Sequence, residues 1–330
     1  MATAPSGKWI DGVASNDKTS RVARKSLAER LRAVRRSLSR SARSSLIASE
    51  SVHQLRVAAR RAVEGLKLYA DFVPRRRAAW ITKQMKKLRK AAGPARDCDV
   101  LISRLKSHTS AECPAFLIEE LQGERRAAER AIVAAYRRLR KDGRFGRRTQ
   151  ALVNRVRPRG QAGGGGASLR FLDWARTRLR RRLQRLFDAA PSGTSDVESL
   201  HRFRIRAKKL RYTMELLGPA FPPTFRDEIY PVVEALQDKL GEINDCRTAC
   251  EFLNERLQRA REMEQAQGLR ELSAAWETRL ERSRAEFFEW WTTQRADDLG
   301  TAFEEMLADR EETEGRFGYT ERTNDEMPND

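Results

Sequence analysis

An internal repeat constrains the fold of this chain more than any other feature of its sequence. Residues 53–105 align without a gap with residues 201–253. The identical pairs mix packing residues, helix breakers and polar residues: His53/His201, Arg56/Arg204, Ala59/Ala207, Pro74/Pro222, Gly93/Gly241, Asp97/Asp245 and Cys98/Cys246. Glycine, proline and alanine recur because the same helix ends and packing seams recur. A solvated polar face accepts nearly any polar residue, so the repeated histidine and arginine indicate a function.

The most basic part of the repeat, residues 201–212, has the periodicity of an amphipathic helix. At about 100° per residue, one narrow stripe carries only basic side chains, namely His201, Arg204, Lys208 and Arg211. The matching stripe of the first half carries His53, Arg56, Arg60 and Lys67. Apolar residues such as Leu55 and Phe203 fall roughly opposite these stripes. Both segments therefore predict a helix with one face for a core and another for an anion.

The rest of the chain predicts an all-α fold. Helical periodicity covers residues 21–43, 49–71, 76–92 and 114–141, and the same order restarts at residue 168. In the second half we expect helices over 201–217 and 224–240, and a longer one from residue 244. Gly93-Pro94 predicts a helix end, and Asp97 and Asp245 are interpreted as helix caps. We expect no β-strand of consequence.

These elements predict two four-helix bundles related by an internal pseudo-two-fold, with a basic cleft or pore between them. The expected boundaries are a flexible arm over 1–19, bundles over 20–142 and 168–300, a Gly/Arg-rich linker over 143–167 and an acidic tail over 301–330. Further basic residues that could line the cleft are Arg32 and Arg180, which match in the repeat, and Lys83, Lys86 and Lys90 on the third helix.

Net charge identifies the class of partner. Lys and Arg number 66 against 46 Asp and Glu, which gives +20 at pH 7, and such an excess favours nucleic acid, polyphosphate or another anionic surface.

No apolar run is long enough to span a membrane and the N-terminus lacks the pattern of a secretory signal. The four sparse cysteines indicate a reduced compartment, so we expect a cytoplasmic protein. Cys246 and Cys250 are interpreted as buried side chains rather than metal ligands.

Catalytic and cofactor motifs are missing from the sequence. It has no G-x-S-x-G, no phosphate-binding glycine loop, no acidic cluster placed to hold Mg²⁺ and no H-x-x-x-H or C-x-x-C spacing. We therefore expect a non-enzymatic protein without a metal or cofactor. An unrecognised phosphotransferase or polyphosphatase stays open as an alternative.

Four segments resemble one known family, the CHAD domains, named for conserved histidines in an α-helical domain. They are VHQLRVAARR (52–61), AAGPARDCDVL (91–101), LHRFRIRAKKLRY (200–212) and LQDKLGEINDCR (236–247). The resemblance implies two four-helix bundles around a basic pore and binding of inorganic polyphosphate, often on granules inside bacteria. Carried over position by position, the implied ligand contacts are His53, Arg56, Arg60, His201, Arg204, Lys208 and Arg211. The third helix of the second half has Glu234 and Asp238 where the first half has lysines, which predicts two unequal walls.

The sequence thus favours a module that binds inorganic polyphosphate in a cleft lined by Lys, Arg and His, with polyphosphate granules as a candidate location. The main alternative is nucleic-acid binding in the same cleft. Aromatic residues interleaved with the basic ones would favour nucleic acid, and they are scarce here. For the repeated histidines, a structural role bonded to a neighbouring carbonyl also stays open.

Overall fold

A computed structural model describes residues 7–41, 47–107, 114–157, 170–191 and 197–308. This part of the chain contains α-helices and short helical turns, and it has no strand, so the all-α prediction is confirmed. In chain order the helices are α1 Thr19–Ser41, α2 Ser49–Leu68, α3 Arg75–Ala91, α4 Gly93–Ser107, α5 Ala115–Arg140, α6 Arg144–Val153, α7 Phe171–Phe187, α8 Val197–Leu217, α9 Tyr230–Arg259, α10 Met263–Trp290 and α11 Thr293–Leu307.

The predicted apolar seams lie in the interior. On α1, Leu27, Leu31 and Val34 are buried, and on α8 Phe203 and Leu210 are fully buried. Helices α1, α2, α3 and α5 begin and end close to the predicted positions. Periodicity located them because burying an amphipathic face contributes most of a helix's stability in a folded protein.

The third helix of the second half differs from the prediction. Residues 230–259 form one continuous helix, α9, preceded by a π-helical turn at Phe225–Ile229. The predicted interruption between residues 240 and 244 is wrong. Gly241 has no proline after it, unlike Gly93, and a glycine inside a helix costs only about 1 kcal/mol. The neighbouring Leu240 and Ile243 are buried and hold the helix together through this point.

Two predicted helix caps lie inside helices instead. Asp97 follows four earlier residues of α4, and Asp245 lies in the middle of α9. Helix α4 begins directly at Gly93, one residue after α3, so no cap separates it from Asp97. Both carboxylates point to an arginine: Asp97 lies 3.9 Å from Arg56, and Asp245 3.3 Å from Arg104.

Three segments expected to lie outside the bundles contribute to the packed structure. Within the predicted linker 143–167, α6 buries Phe145 and Leu152, and residues 158–169 lie outside the described part. Within the predicted tail 301–330, α11 buries Phe303, and residues 309–330 are likewise not described. In the predicted arm 1–19, Ile10 is buried and the Arg30 guanidinium donates to the Lys8 carbonyl at 2.7 Å. Each segment carries apolar residues that the body covers.

The buried residues form two clusters, and each contains residues from both halves of the repeat. The larger one joins α1 and α2 to α7, α8 and the first part of α9. The smaller one joins α4 and α5 to the second part of α9 and to α10, around Trp276. Cys246 and Cys250 are buried in this smaller cluster, as predicted, and Cys98 is buried there too. Burial raises the thiol pKa of Cys98 and Cys250 to about 11. His108 and Cys113 lie outside the described residues.

Among the described helices none is long and apolar enough to cross a membrane.

Candidate anion-binding cleft

An open cavity of about 370 Å³ lies where α2 and α4 of the first half face α8 and α9 of the second. We call it the cleft. Its lining combines basic side chains with two carboxylates, a few small polar groups and a few apolar residues: His53, Arg56, Val57, Arg60, Arg96, Asp97, Val100, Leu101, Arg104, Arg204, Lys208, Asn244, Asp245 and Thr248.

A buried ion pair holds α2 against α8 and so positions the cleft. Arg61 donates from Nε and Nη2 to the carboxylate of Glu215, at 2.7 and 3.0 Å, and the Tyr230 hydroxyl donates to the same carboxylate at 3.2 Å. The Glu215 side chain is only 1% exposed. Gly65 of α2 lies near this pair and faces Leu27 of α1 and Leu216 of α8. The two helices that carry the repeated histidine and arginine are therefore neighbours.

The first-half wall is made by α2 and α4. Arg56 donates to the backbone carbonyl of Arg89 at 3.3 Å, and Arg60 donates to the Tyr212 hydroxyl at 3.4 Å. Burial, then the positive charge of Arg96, lowers the pKa of His53, so its imidazole is mainly neutral at pH 7. Burial also lowers the pKa of Arg56, against the opposing effect of Asp97.

The second-half wall concentrates positive charge on α8. Burial, then the charges of Arg60, Arg204 and Arg89, lowers the pKa of Lys208 to about 7. Burial also lowers the pKa of Arg204, although Asp245 opposes it. Repulsion among these positive groups is electrostatically unfavourable, and a bound anion would relieve it.

Three side-chain nitrogen atoms on α8 are buried without a hydrogen-bond partner among the described residues. They are His201 Nδ1, Arg204 Nε and Arg211 Nε. A buried unpaired polar group costs about 1–3 kcal/mol. Among the described residues no carbonyl accepts a hydrogen bond from Nδ1 of His201. An acceptor from a ligand would satisfy the two arginine N–H groups, and would satisfy Nδ1 of His201 when that nitrogen carries the proton.

The structure brings only part of the predicted residue set together. Five of the predicted residues line the cleft: His53, Arg56, Arg60, Arg204 and Lys208. His201 lies one helical turn before Arg204 on α8. Arg211 is close enough to lower the pKa of Lys208, but its Nη1 bonds Glu234 at 3.0 Å.

The other predicted residues lie outside the cleft lining. Arg180 donates to the Leu307 carbonyl at the end of α11 at 2.6 Å, and Lys67 pairs with Glu64 at 2.8 Å. Arg32, Lys83, Lys86 and Lys90 are exposed side chains.

Several cleft residues were missed from the sequence. Helix α4 contributes Arg96 and Arg104, and α9 contributes Asn244, Asp245 and Thr248. Asp97, Leu101 and Arg104 follow the spacing i, i+4, i+7, which marks one face of a helix. Interpreting the aspartates as caps hid that face.

The carboxylates of the cleft are partly matched by arginines, which limits what they can bind. Arg104 bonds Asp245 and also pairs with Glu242 at 2.5 Å. Burial raises the pKa of Asp97, with Arg56 and Arg96 opposing it. Across the described residues, His, Cys, Asp and Glu form no group of three that could hold a metal ion.

Comparison with known proteins places this arrangement in a family. The model of the CHAD domain family matches residues 25–254, a range that includes both walls of the cleft. The chain belongs to the CHAD domain family. The family resemblance seen in the four sequence segments is thereby confirmed.

Curated relatives and solved structures agree with this assignment. The uncharacterized proteins MT2285 and Rv2226 of Mycobacterium tuberculosis are each 28% identical over 219 residues, covering 62% of this chain but 40% of theirs. The chain thus spans less than half the length of these curated relatives. The CHAD domain from the plant Ricinus communis superimposes with a TM-score of 0.65 at 22% identity, over 87% of this chain and 97% of that one. PptA from Streptomyces chartreusis gives 0.56 at 18% identity, over 86% and 100%. These two likenesses concern the fold.

Proposed function

We propose that this CHAD protein binds inorganic polyphosphate in the cleft and does not catalyse its conversion. The observation that carries the proposal is the buried, unpartnered Nε of Arg204 in the cleft lining, beside Lys208, a lysine whose pKa is lowered to about 7. The CHAD domain family is generally associated with polyphosphate binding rather than with catalysis.

The chemistry of a linear polyphosphate suits these groups. Each interior phosphate carries about one negative charge and has acceptor oxygens on all sides, while Arg, Lys and His supply donors. A bound phosphate would accept from Arg204 and stabilise the protonated form of Lys208. Binding would also release counterions, so affinity should fall as salt rises.

The cleft lining favours an inorganic chain over nucleic acid. Among the described residues that line it none is Phe, Tyr or Trp, whereas proteins that bind single strands stack bases mainly on such side chains. A cavity of about 370 Å³ has room for a few phosphate units and not for a duplex. Asp97 and Asp245, the acidic groups of the lining, each face an arginine, which argues against a Mg²⁺-dependent transfer there.

Competition between anions tests the proposed ligand. Long-chain polyphosphate, duplex DNA and single-stranded RNA are offered to the full chain at equal phosphate concentration, and we expect polyphosphate to displace both nucleic acids. A reversed order would contradict the proposal. Incubation with polyphosphate and Mg²⁺, followed by analysis of chain length, tests the non-enzymatic part, because shortening of the polymer would overturn it.

A residue-level test separates an organised cleft from diffuse charge. His53→Ala combined with His201→Ala should weaken polyphosphate binding several-fold. The control is Arg155→Ala with Arg157→Ala, which removes two arginines from the segment after α6. Equal losses in the two variants would mean that only total charge matters. A fluorescent fusion in a polyphosphate-accumulating bacterium, with the double histidine variant beside it, tests localisation to granules.

A further inference from the structure

A second cavity, of about 700 Å³, lies at the start of α3 and shares no residue with the cleft. We call it the Trp80 pocket. Its lining consists of four arginines, one proline and one tryptophan: Pro74, Arg75, Arg76, Arg77, Trp80 and Arg148. None of these described lining residues is acidic. The volume lies in the range typical of small-molecule sites.

Positive charge is unusually concentrated in the Trp80 pocket. Helix α3 begins at Arg75, so three arginines occupy its first turn, where the helix dipole is already positive and acidic residues are preferred. Pro74 precedes the helix and provides no side-chain cap. Arg148 adds a fourth guanidinium from α6.

No carboxylate in the described structure neutralises this charge. Within the described residues none of the four arginines forms an ion pair, and the sequence of α3 contains no Asp or Glu. Other surface arginines of the chain differ in this respect; Arg259 and Arg282, for example, pair with glutamates one turn away. The cluster is therefore arranged to receive an anion that carries several charges.

An aromatic platform distinguishes this pocket from the cleft. The Trp80 indole is half-buried against Phe145, with ring centroids 6.4 Å apart, and the Arg148 guanidinium lies 4.4 Å from the indole centroid. Arginine planes and aromatic rings are the groups on which proteins stack nucleic-acid bases. A planar base fits as the next layer of this stack, beside the arginines of the α3 first turn.

We propose that the Trp80 pocket binds a nucleoside polyphosphate. The base stacks on the Trp80–Arg148 layer, and the phosphates bind the guanidinium groups of Arg75, Arg76 and Arg77 together with the free amides at the start of α3. A purely inorganic anion would use the arginines and leave the indole unused. The pocket therefore selects a phosphate compound that carries an aromatic base, whereas no Phe, Tyr or Trp is among the described residues that line the cleft.

The test compares two ligands that share a triphosphate and differ in the base. Equilibrium dialysis measures radiolabelled ATP and inorganic triphosphate with the full chain carrying Arg60→Ala and Arg204→Ala, which removes the main competing anion site. We expect ATP to bind roughly tenfold more tightly than triphosphate, which corresponds to the stacking of one base. Trp80→Leu should remove this advantage, and Trp80→Phe should keep most of it.

Trp290 offers a matched control. It is also a half-buried tryptophan under an arginine, with the Arg295 guanidinium 4.7 Å from its ring centroid. Trp290→Leu should leave both affinities unchanged. If Trp80→Leu does not fold, Arg76→Ala replaces it, since this exposed change should weaken both ligands several-fold. Equal affinity for ATP and triphosphate, or equal losses in Trp80→Leu and Trp290→Leu, would overturn the proposal.

Discussion

The two walls of the cleft share helices and repeated residues but differ in how their charge is balanced. Glu234 on α9 stands at the aligned position of Lys86 on α3. It accepts from Arg211 at 3.0 Å and from Lys8 at 3.1 Å, and it thereby holds Arg211 away from a ligand. The first half has no such acid on its third helix. The comparison teaches that a repeated scaffold can carry unequal charge. A count of basic residues therefore overstates how many positive side chains of the second half are free to bind an anion.

The largest expected effect comes from separating the walls. Glu215→Ala would leave Arg61 buried without its carboxylate, and removing one partner of a buried pair costs about 3–5 kcal/mol. Urea unfolding measures the loss. The control is Glu286→Ala, which breaks an exposed pair with Arg282 and should cost less than about 1 kcal/mol. Equal losses would mean that the Arg61–Glu215 pair does not join α2 to α8.

The next largest effect is the loss of polyphosphate affinity when one arginine is removed from either wall. Arg60→Ala and Arg204→Ala should each weaken polyphosphate binding roughly tenfold to a hundredfold, because each removes a charged donor that the described carboxylates do not bond. Arg211→Ala should cost only two- to threefold, since Glu234 already neutralises that guanidinium. Titration with a labelled polyphosphate measures all three. A loss in Arg211→Ala as large as in Arg204→Ala would show that the walls are equal.

Acidity should act on the second wall through Lys208. Its pKa of about 7 lies below the ordinary value, so the unfolded chain holds more protons above pH 7. The positive charge of Lys208, which destabilises the folded state, is therefore fully present below pH 7. The free energy of unfolding should rise between pH 7 and about 10 as the folded protein loses this charge. Polyphosphate needs the charged amine, so its affinity should fall up to about tenfold from pH 6 to pH 8.

Lys208→Arg provides the control for this pH dependence, because arginine keeps its charge over the whole range. Titrations of both proteins at pH 6, 7 and 8 give the comparison. His53, Arg60, Arg89 and Arg204 remain in both. The same decline in the arginine variant would assign the pH dependence to His53 or another group.

The smallest expected effect is a gain in polyphosphate affinity. Glu234→Gln removes the negative charge that holds Arg211, so polyphosphate affinity should rise two- to threefold. The change also leaves Lys8 without its carboxylate, which makes the stability of the variant a necessary second measurement. Asp173→Asn, on α7, removes one negative charge elsewhere and should leave affinity unchanged. An equal gain in both variants would reduce the effect to net charge.

Periodicity predicted the helices well, and the repeat predicted the contents of the cleft in part. His53, Arg56, Arg60, Arg204 and Lys208 were found because residues on a polar stripe recurred without a packing reason. Arg211 and Arg180 were expected in the cleft but bond other groups, and a pattern along one helix cannot show what a distant helix places opposite it. The continuity of α9 depends on tertiary burial around Gly241, which outweighs the local preference of one glycine.

The sharing of both buried clusters between the two halves has a consequence for how the chain folds. The smaller cluster needs α4 and α5 from the first half and α9 and α10 from the second. A ribosome that has released only the first half therefore releases helices whose apolar faces have no cover, and such contacts between distant residues slow folding. The first repeat is synthesised first, and its share of the smaller cluster becomes buried only when the second repeat packs against it.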